Sequence, residues 1–181
     1  KSYREDYLKD GLDIIYESVA SHPSHLADLD RIKAMGYKIT TIYVTTENPE
    51  INLARIAKRG RDNDTYLTPE RVKGRYERSL DLLSEFIKRS DMAFAYDNSI
   101  NYFAVFYKTA EGKNYLVVTP DPNNAKGHVY VEIGNVEDGA ELKVIVDGPF
   151  VEVFVADKYS LTAHTNLTTD VTYALSCSNA I

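Results

Sequence analysis

The sequence predicts an α/β chain in two parts: a parallel sheet with helices over the first hundred residues, then a small antiparallel β-sandwich-like region. Three observations carry this expectation. Before residue 100, short β-branched runs alternate with stretches whose apolar residues recur at helical spacing, the order that builds a parallel sheet with helices packed on it. Two proline-containing helix starts, Asn48-Pro49-Glu50 and Thr68-Pro69-Glu70, punctuate that half. From about residue 101 the helical spacing stops, and short strand runs separated by turn signals replace it.

Taken in order, Leu12-Asp13-Ile14-Ile15-Tyr16 reads as a short apolar strand ending in Glu17-Ser18. Ser24 to Met35 carries Leu26, Leu29, Ile32 and Met35 on one helical stripe, and Gly36 ends that helix. Tyr37 to Thr45 is β-branched and aromatic, hence a strand. Asn48 caps the next helix with Pro49 at its first position, where a missing N–H costs nothing. Thr68-Pro69 repeats the device, and Val72, Tyr76, Leu80, Leu83 and Ile87 mark the buried stripe that follows. A strand at 92–96 closes the series.

In the second half, 102–108, 115–119, 128–133, 142–146, 151–155, 159–165 and 171–175 read as strands. Glu111-Gly112, Asp121-Pro122-Asn123-Asn124, Asp138-Gly139 and Asp147-Gly148-Pro149 supply the turns between them. Val151-Glu152-Val153-Phe154-Val155 alternates as a strand buried on one face does. The seam is placed at Asp121–Asn124, which gives two units, 1–115 and 120–181.

The totals exclude several function classes. With 44% hydrophobic and 27% charged residues, the 181-residue chain has the composition of a globular protein. No apolar run approaches the ~20 residues of a membrane span, and a cytoplasmic protein is expected. The N-terminus is charged and lacks both an initiating Met and a signal-like apolar stretch, so a trimmed or partial chain is expected. Cys177 is the single cysteine, which precludes an internal disulfide. Asn166-Leu167-Thr168 fits a glycosylation acceptor, but nothing else points to secretion.

The formal net charge is −6: residues 1–100 hold 16 basic against 17 acidic side chains, and 101–181 hold 5 against 10. Nucleic-acid binding needs a phosphate-neutralising excess that is missing here.

The stretch from Asn48 to Asn98 carries the chemistry. The basic run Arg55 to Arg61 precedes the acidic loop Asp62-Asn63-Asp64, and Arg71, Arg75 and Arg78 follow the second helix start. Arginines flanking a loop are what a phosphoryl-transfer enzyme closes over a triphosphate, because catalysis there is positioning plus charge stabilisation.

Residues 10–115 resemble the zeta-toxin group of P-loop kinases. The likeness lies in Ile14-Ile15-Tyr16-Glu17, Ala34 to Ile39, Arg55 to Arg59, Thr68 to Val72, Arg75 to Ser79, and Asp91 with Tyr96 to Ser99. It implies Mg·ATP-dependent phosphorylation of a hydroxyl on a sugar nucleotide or other small acceptor. Arg59 and Arg61 would then be the catalytic lid arginines, Arg71, Arg75, Asp97 and Asn98 would line the nucleotide site, and Glu17 would face the acceptor. No metal-ligating set is assigned.

The departures are specific. No glycine-rich phosphate loop with its lysine occurs in the chain, Val19 and Ser21 stand where a Thr and an Arg are expected, and Tyr66 replaces an Arg of some relatives. An incomplete or inactive fragment is therefore the expected form.

Residues 127–175 resemble the C-terminal β-sandwich of family 32 glycoside hydrolases, through Leu142 to Val155 and Leu161-Thr162-Ala163. That module carries no catalytic carboxylate, so a glycan is its implied partner. Two unrelated likenesses in one short chain suggest a fusion or chimera.

Each candidate has a structural alternative. Arg59 and Arg61 also suit a solvated basic helix end, favoured by the helix dipole. Arg71, Arg75 and Arg78 also suit a surface stripe pairing with Glu70, Glu77 or Asp81. Glu17 sits at a strand end, where open α/β sheets bind ligands, yet a lone Glu there also serves structure. Asp97-Asn98-Ser99 either borders an adenine or forms a turn. His22 and His25 around Pro23 lack a third ligand and read as loop or cap residues, and His128 and His164 read as surface. Asp147 and Glu152 read as a turn residue and an outward strand residue.

Overall fold

The computed structural model describes residues 3–59, 67–118, 129–133, 142–147, 150–155 and 158–164. It is an α/β structure with two sheets. Five helices are described: α1 (Tyr3–Lys9), α2 (Ser24–Ala34), α3 (Pro49–Lys58), α4 (Pro69–Asp81) and α5 (Leu83–Arg89). The larger sheet orders β1 (Thr40–Thr45), β2 (Met92–Asp97), β3 (Phe103–Lys108), β4 (Asn114–Val118) and β5 (Val129–Glu132) side by side. β6 (Leu142–Asp147), β7 (Phe150–Val155) and β8 (Lys158–His164) form a separate antiparallel sheet.

The larger sheet is mixed, with one parallel pair, β1 with β2, followed by antiparallel neighbours. The two strands that form before residue 100 pair in parallel, as the strand–helix order predicts, while β3, β4 and β5, expected in the antiparallel region, continue the same sheet. β5 is hydrogen-bonded to β4, so this sheet continues past the expected seam at 121–124. The expected strand at 171–175 lies outside the described residues.

The expected strand at Leu12–Tyr16 does not form. Residues 12–20 carry no regular structure, and β1 has β2 as its single described ladder partner. A strand exists through hydrogen bonds to a neighbour, and an apolar run without one gains nothing by its pattern. Ile15 is accordingly fully exposed, and Leu12, Tyr16 and Val19 remain in contact with solvent.

Both proline-marked helices start as the sequence dictates. The Asn48 side chain accepts from the Ile51 N–H at 3.2 Å, and the Thr68 hydroxyl accepts from the Arg71 N–H at 3.3 Å. The long stripe from Val72 to Ile87 is divided between α4 and α5, with Leu82 between them. α1 has no counterpart among the expected elements. It carries Glu5 and Asp6 in its first turn and Lys9 in its last, and it buries Leu8 almost completely.

α5 joins two core clusters. Its Ile87 packs with Ala93, Ala95 and Phe106 of the sheet, while Phe86 packs with Leu29 of α2 and with Ile39. The C-terminal carbonyls of α5 are capped by lysines: Lys108 donates to Ile87 and Ser90, and Lys33 donates to Arg89. Burial lowers the Lys108 ammonium below its usual range. A ladder of stacked rings crosses three strands: Phe94 and Tyr107 lie 6.4 Å apart, and Tyr107 and Tyr115 lie 4.6 Å apart.

Candidate functional site

β1 leads directly into Thr46, and the chain then enters α3 across the C-terminal end of the strand. Thr46 is buried, and polar bonds hold it on several sides. Its hydroxyl donates to the Asn48 carbonyl at 2.9 Å and accepts from the Asn52 amide at 3.0 Å. Its carbonyl accepts from the Tyr76 hydroxyl of α4 at 2.6 Å. Burial pushes the Tyr76 phenol above its ordinary value, so this hydroxyl stays a donor. Arg55 fastens the other side, donating to the carbonyls of Asn98 at 2.6 Å and Ser99 at 2.9 Å. The Asn98 N–H in turn donates to the Thr45 carbonyl at 2.8 Å.

This frame borders an open cleft of about 1140 Å3 between β1, the irregular segment 13–20 and helices α3 and α4. Its floor is apolar, built in part from Leu29, Ile32, Ile39 and Phe86. Lys38, Arg55, Arg59 and Arg75 line it against two acidic side chains, Asp13 and Glu17. In a chain of net charge −6, four cations against two carboxylates make a locally positive concavity. Arg59 and Arg75 form no ion pair among the described residues, whereas Arg55 is committed to the two carbonyls.

The structure brings Glu17, Arg59, Arg75 and Asn98 to this one cleft. Arg71 is exposed in the first turn of α4 and does not line it. Asp97 does not line it either: its Oδ1 accepts the Ser99 N–H at 2.6 Å, which is the turn alternative for that tripeptide. Arg78 donates from Nε to the Ser21 carbonyl at 3.3 Å and so ties α4 to the segment before α2. Arg61, like the loop Asp62–Asp64 and Tyr66, lies outside the described residues.

His22 is a loop residue and His25 sits in the first turn of α2. His22 Nδ1 accepts the Ser24 N–H, and His25 Nε2 shares a hydrogen bond with the Ser18 hydroxyl. Among the described residues no three His, Cys, Asp or Glu side chains converge as metal ligands would. No described helix is long and apolar enough to cross a membrane.

Sequence reasoning missed Thr46, Asn52 and Tyr76 as the frame of the cleft. A Thr that ends a β-branched run beside an N-capping Asn was the available signal for Thr46; Tyr76 was read as part of the apolar stripe alone.

No family model matches the chain, and no curated protein or solved structure matches it.

Proposed function

We propose that the cleft beyond β1 binds phosphate esters, and that the chain is an ATP-dependent phosphotransferase of zeta-toxin type in incomplete or inactive form. The acceptor would be a hydroxyl of a small molecule or sugar nucleotide. The observation that carries the reading is that Arg59, which caps the end of α3, and Arg75 of α4 line one positive cleft without acidic partners among the described residues, a cleft that runs along β1 and reaches its C-terminal end. Ligands of open α/β sheets bind at such strand ends. Glu17 and Asn98 line the same cleft and would supply a carboxylate for the acceptor and a neutral polar group. Mg·ATP would bring the transferable phosphoryl group and a metal to offset its charge.

The same reading makes the larger sheet the partial layer of a P-loop kinase. It takes β6–β8 as part of a β-sandwich module similar to that of family 32 glycoside hydrolases, the two having been joined as a fusion. With no glycine-rich loop in the sequence, binding is expected without useful turnover, because that loop supplies much of the positioning.

The test is calorimetric titration with Mg·ATP of the chain and of the variant Arg59→Ala/Arg75→Ala. Micromolar binding that weakens at least ten-fold in the variant supports the reading. Absence of heat, together with an unchanged melting temperature at millimolar Mg·ATP, refutes it.

A second reading rests on the separateness of the β6–β8 ladder. A non-catalytic, carbohydrate-associated module would bind fructans or other glycans saturably, with no response to Mg·ATP. A chimera without native activity would respond to neither ligand.

A further inference from the structure

β1 is an open edge. Among the described residues its one ladder is to β2. The carbonyls of Ile39 and Thr45 both accept hydrogen bonds from the β2 side. Backbone groups two residues apart along a strand point the same way, so Thr40, Ile42 and Val44 turn their N–H and C=O groups to the free side. Natural sheets blunt such edges with a charge, a proline or a bulge. Thr40-Thr41-Ile42-Tyr43-Val44-Thr45 has no charge and no proline, and its pairing with β2 is unbroken. Ile42 and Val44 are 64% and 48% exposed, and across the cleft Ile15 and Val19 stay exposed too. The cleft thus sets exposed apolar side chains of β1 and of segment 12–20 beside backbone groups that have no ladder partner among the described residues.

Charge narrows the choice of occupant: Lys38 lines the cleft just before the first residue of β1, and Arg59 and Arg75 line it from the helices that follow the strand. Tyr76 on Thr46 and Arg55 on Asn98 hold α4 and α3 at the C-terminal end of β1. Arg59 lies one turn beyond Arg55, and Arg75 precedes Tyr76. A second copy of the chain would have to bring its own segment 12–20 and its helices into the same cleft. An extended peptide brings only a backbone and alternating side chains.

We infer that the free edge of β1 is a docking site for an extended, apolar strand of another polypeptide, with anionic side chains at its flanks. The strand completes the ladder through Ile42 and Val44 and covers Ile15 and Val19. Main-chain hydrogen bonds would give affinity, and the excess of cations over carboxylates in the cleft would favour anionic flanks. The inference does not rest on the phosphotransferase reading; the Mg·ATP titration and the experiment below can fail separately.

Two fluorescent peptides serve as probes on the full chain. Each has a six-residue core alternating Val and Thr, the length of β1, flanked by aspartates in one and by lysines in the other. Fluorescence anisotropy gives affinity, and amide hydrogen exchange reports on Ile42 and Val44. The expected result is at least ten-fold tighter binding of the aspartate peptide, with exchange at Ile42 and Val44 slowed at least ten-fold. Val44→Glu, at a 48% exposed site, puts a like charge against the aspartate peptide and should abolish both effects while leaving the melting temperature unchanged. Equal affinity for the two peptides, no protection of those amides at millimolar peptide, or aspartate-peptide binding that survives Val44→Glu would each overturn the inference. So would protection of the same amides by a concentration-dependent dimer without peptide.

Discussion

The Oδ2 atom of Asp91 accepts the backbone N–H of Ile39 at 2.7 Å, and the Asp91 N–H donates back to the Ile39 carbonyl at 2.8 Å. This reciprocal pair clamps the residue before β1 to the residue before β2 and so sets the register of the one parallel ladder. Lys33 stands 3.4 Å from the other carboxylate oxygen.

The backbone hydrogen bond from Ile39 is the main cause that holds the Asp91 carboxyl below its usual range, with Lys33 adding to it. A depressed folded-state pKa stabilises the fold above the unfolded value, near ~4, and that stability is lost as pH falls through the folded value. Asp91→Ala should therefore cost about 1 kcal/mol at pH 7, a figure discounted because the side chain keeps 36% of its surface in water. The gap between wild type and variant in urea unfolding should shrink on acidification to about pH 3. A gap independent of pH would show that the charge is not what Ile39 uses.

Tyr76 should be more costly to alter than its place on a helical stripe suggests. Its hydroxyl donates to the Thr46 carbonyl at 2.6 Å and lies 3.2 Å from the Glu47 carbonyl, spanning from α4 to the end of β1. Tyr76→Phe keeps the ring and removes the donor, leaving a largely buried carbonyl short of a partner. A loss of about 1–2 kcal/mol is expected in denaturant unfolding. If the cleft binds phosphate esters as proposed, Mg·ATP affinity should also fall, because the cleft frame loosens. An unchanged midpoint would mean that water replaces the hydroxyl at no cost.

Local rules made much of the α/β half legible. Asn48-Pro49 and Thr68-Pro69 gave helix starts whose caps form as expected, since capping depends only on neighbours a few residues away. β2 to β4 and β6 to β8 follow from alternation and turn residues within a residue or two. The segment 12–16 misled because its apolar run has the composition of a strand, while strand formation is decided by a neighbour that sequence pattern does not specify. The same non-locality hid the cleft. Arg59 and Arg75 lie on separate helices and meet at one site only through the fold, while Asp97, adjacent to Asn98 in sequence, turns away to cap Ser99. Arg55 looked like one member of a basic run, and only its two carbonyl partners reveal a strut.

Ala20 is the one non-glycine residue with positive φ among the described residues, at φ 53°. It sits at the end of the irregular segment, where its N–H donates to the Ser18 hydroxyl and its side chain packs toward Leu29 and Phe86. The left-handed region costs an L-residue about 1–2 kcal/mol. Ala20→Gly should accordingly be near neutral in thermal unfolding, where an ordinary position would lose about 0.5–1 kcal/mol. Ala20→Val, β-branched, should lose more than about 1 kcal/mol. A Gly variant as destabilised as the Val variant would mean that the methyl contact outweighs the backbone strain.

Arg55 and Arg75 line the same cleft and should separate cleanly on substitution. Arg55 makes two charge-assisted bonds to backbone carbonyls at the end of β2, with oxygens at 2.6 and 2.9 Å. Its removal strips partners from Asn98 and Ser99 and should cost about 1.5–3 kcal/mol of stability. Arg75 has no ion pair among the described residues, so Arg75→Ala should leave stability within about 0.5 kcal/mol. If the cleft binds phosphate esters, Arg75→Ala should nonetheless weaken Mg·ATP at least ten-fold, because a cation without an ion pair among the described residues remains available to a ligand. Loss of stability in Arg75→Ala with unchanged nucleotide binding would reverse the two assignments and leave Arg59 alone as the candidate phosphate contact.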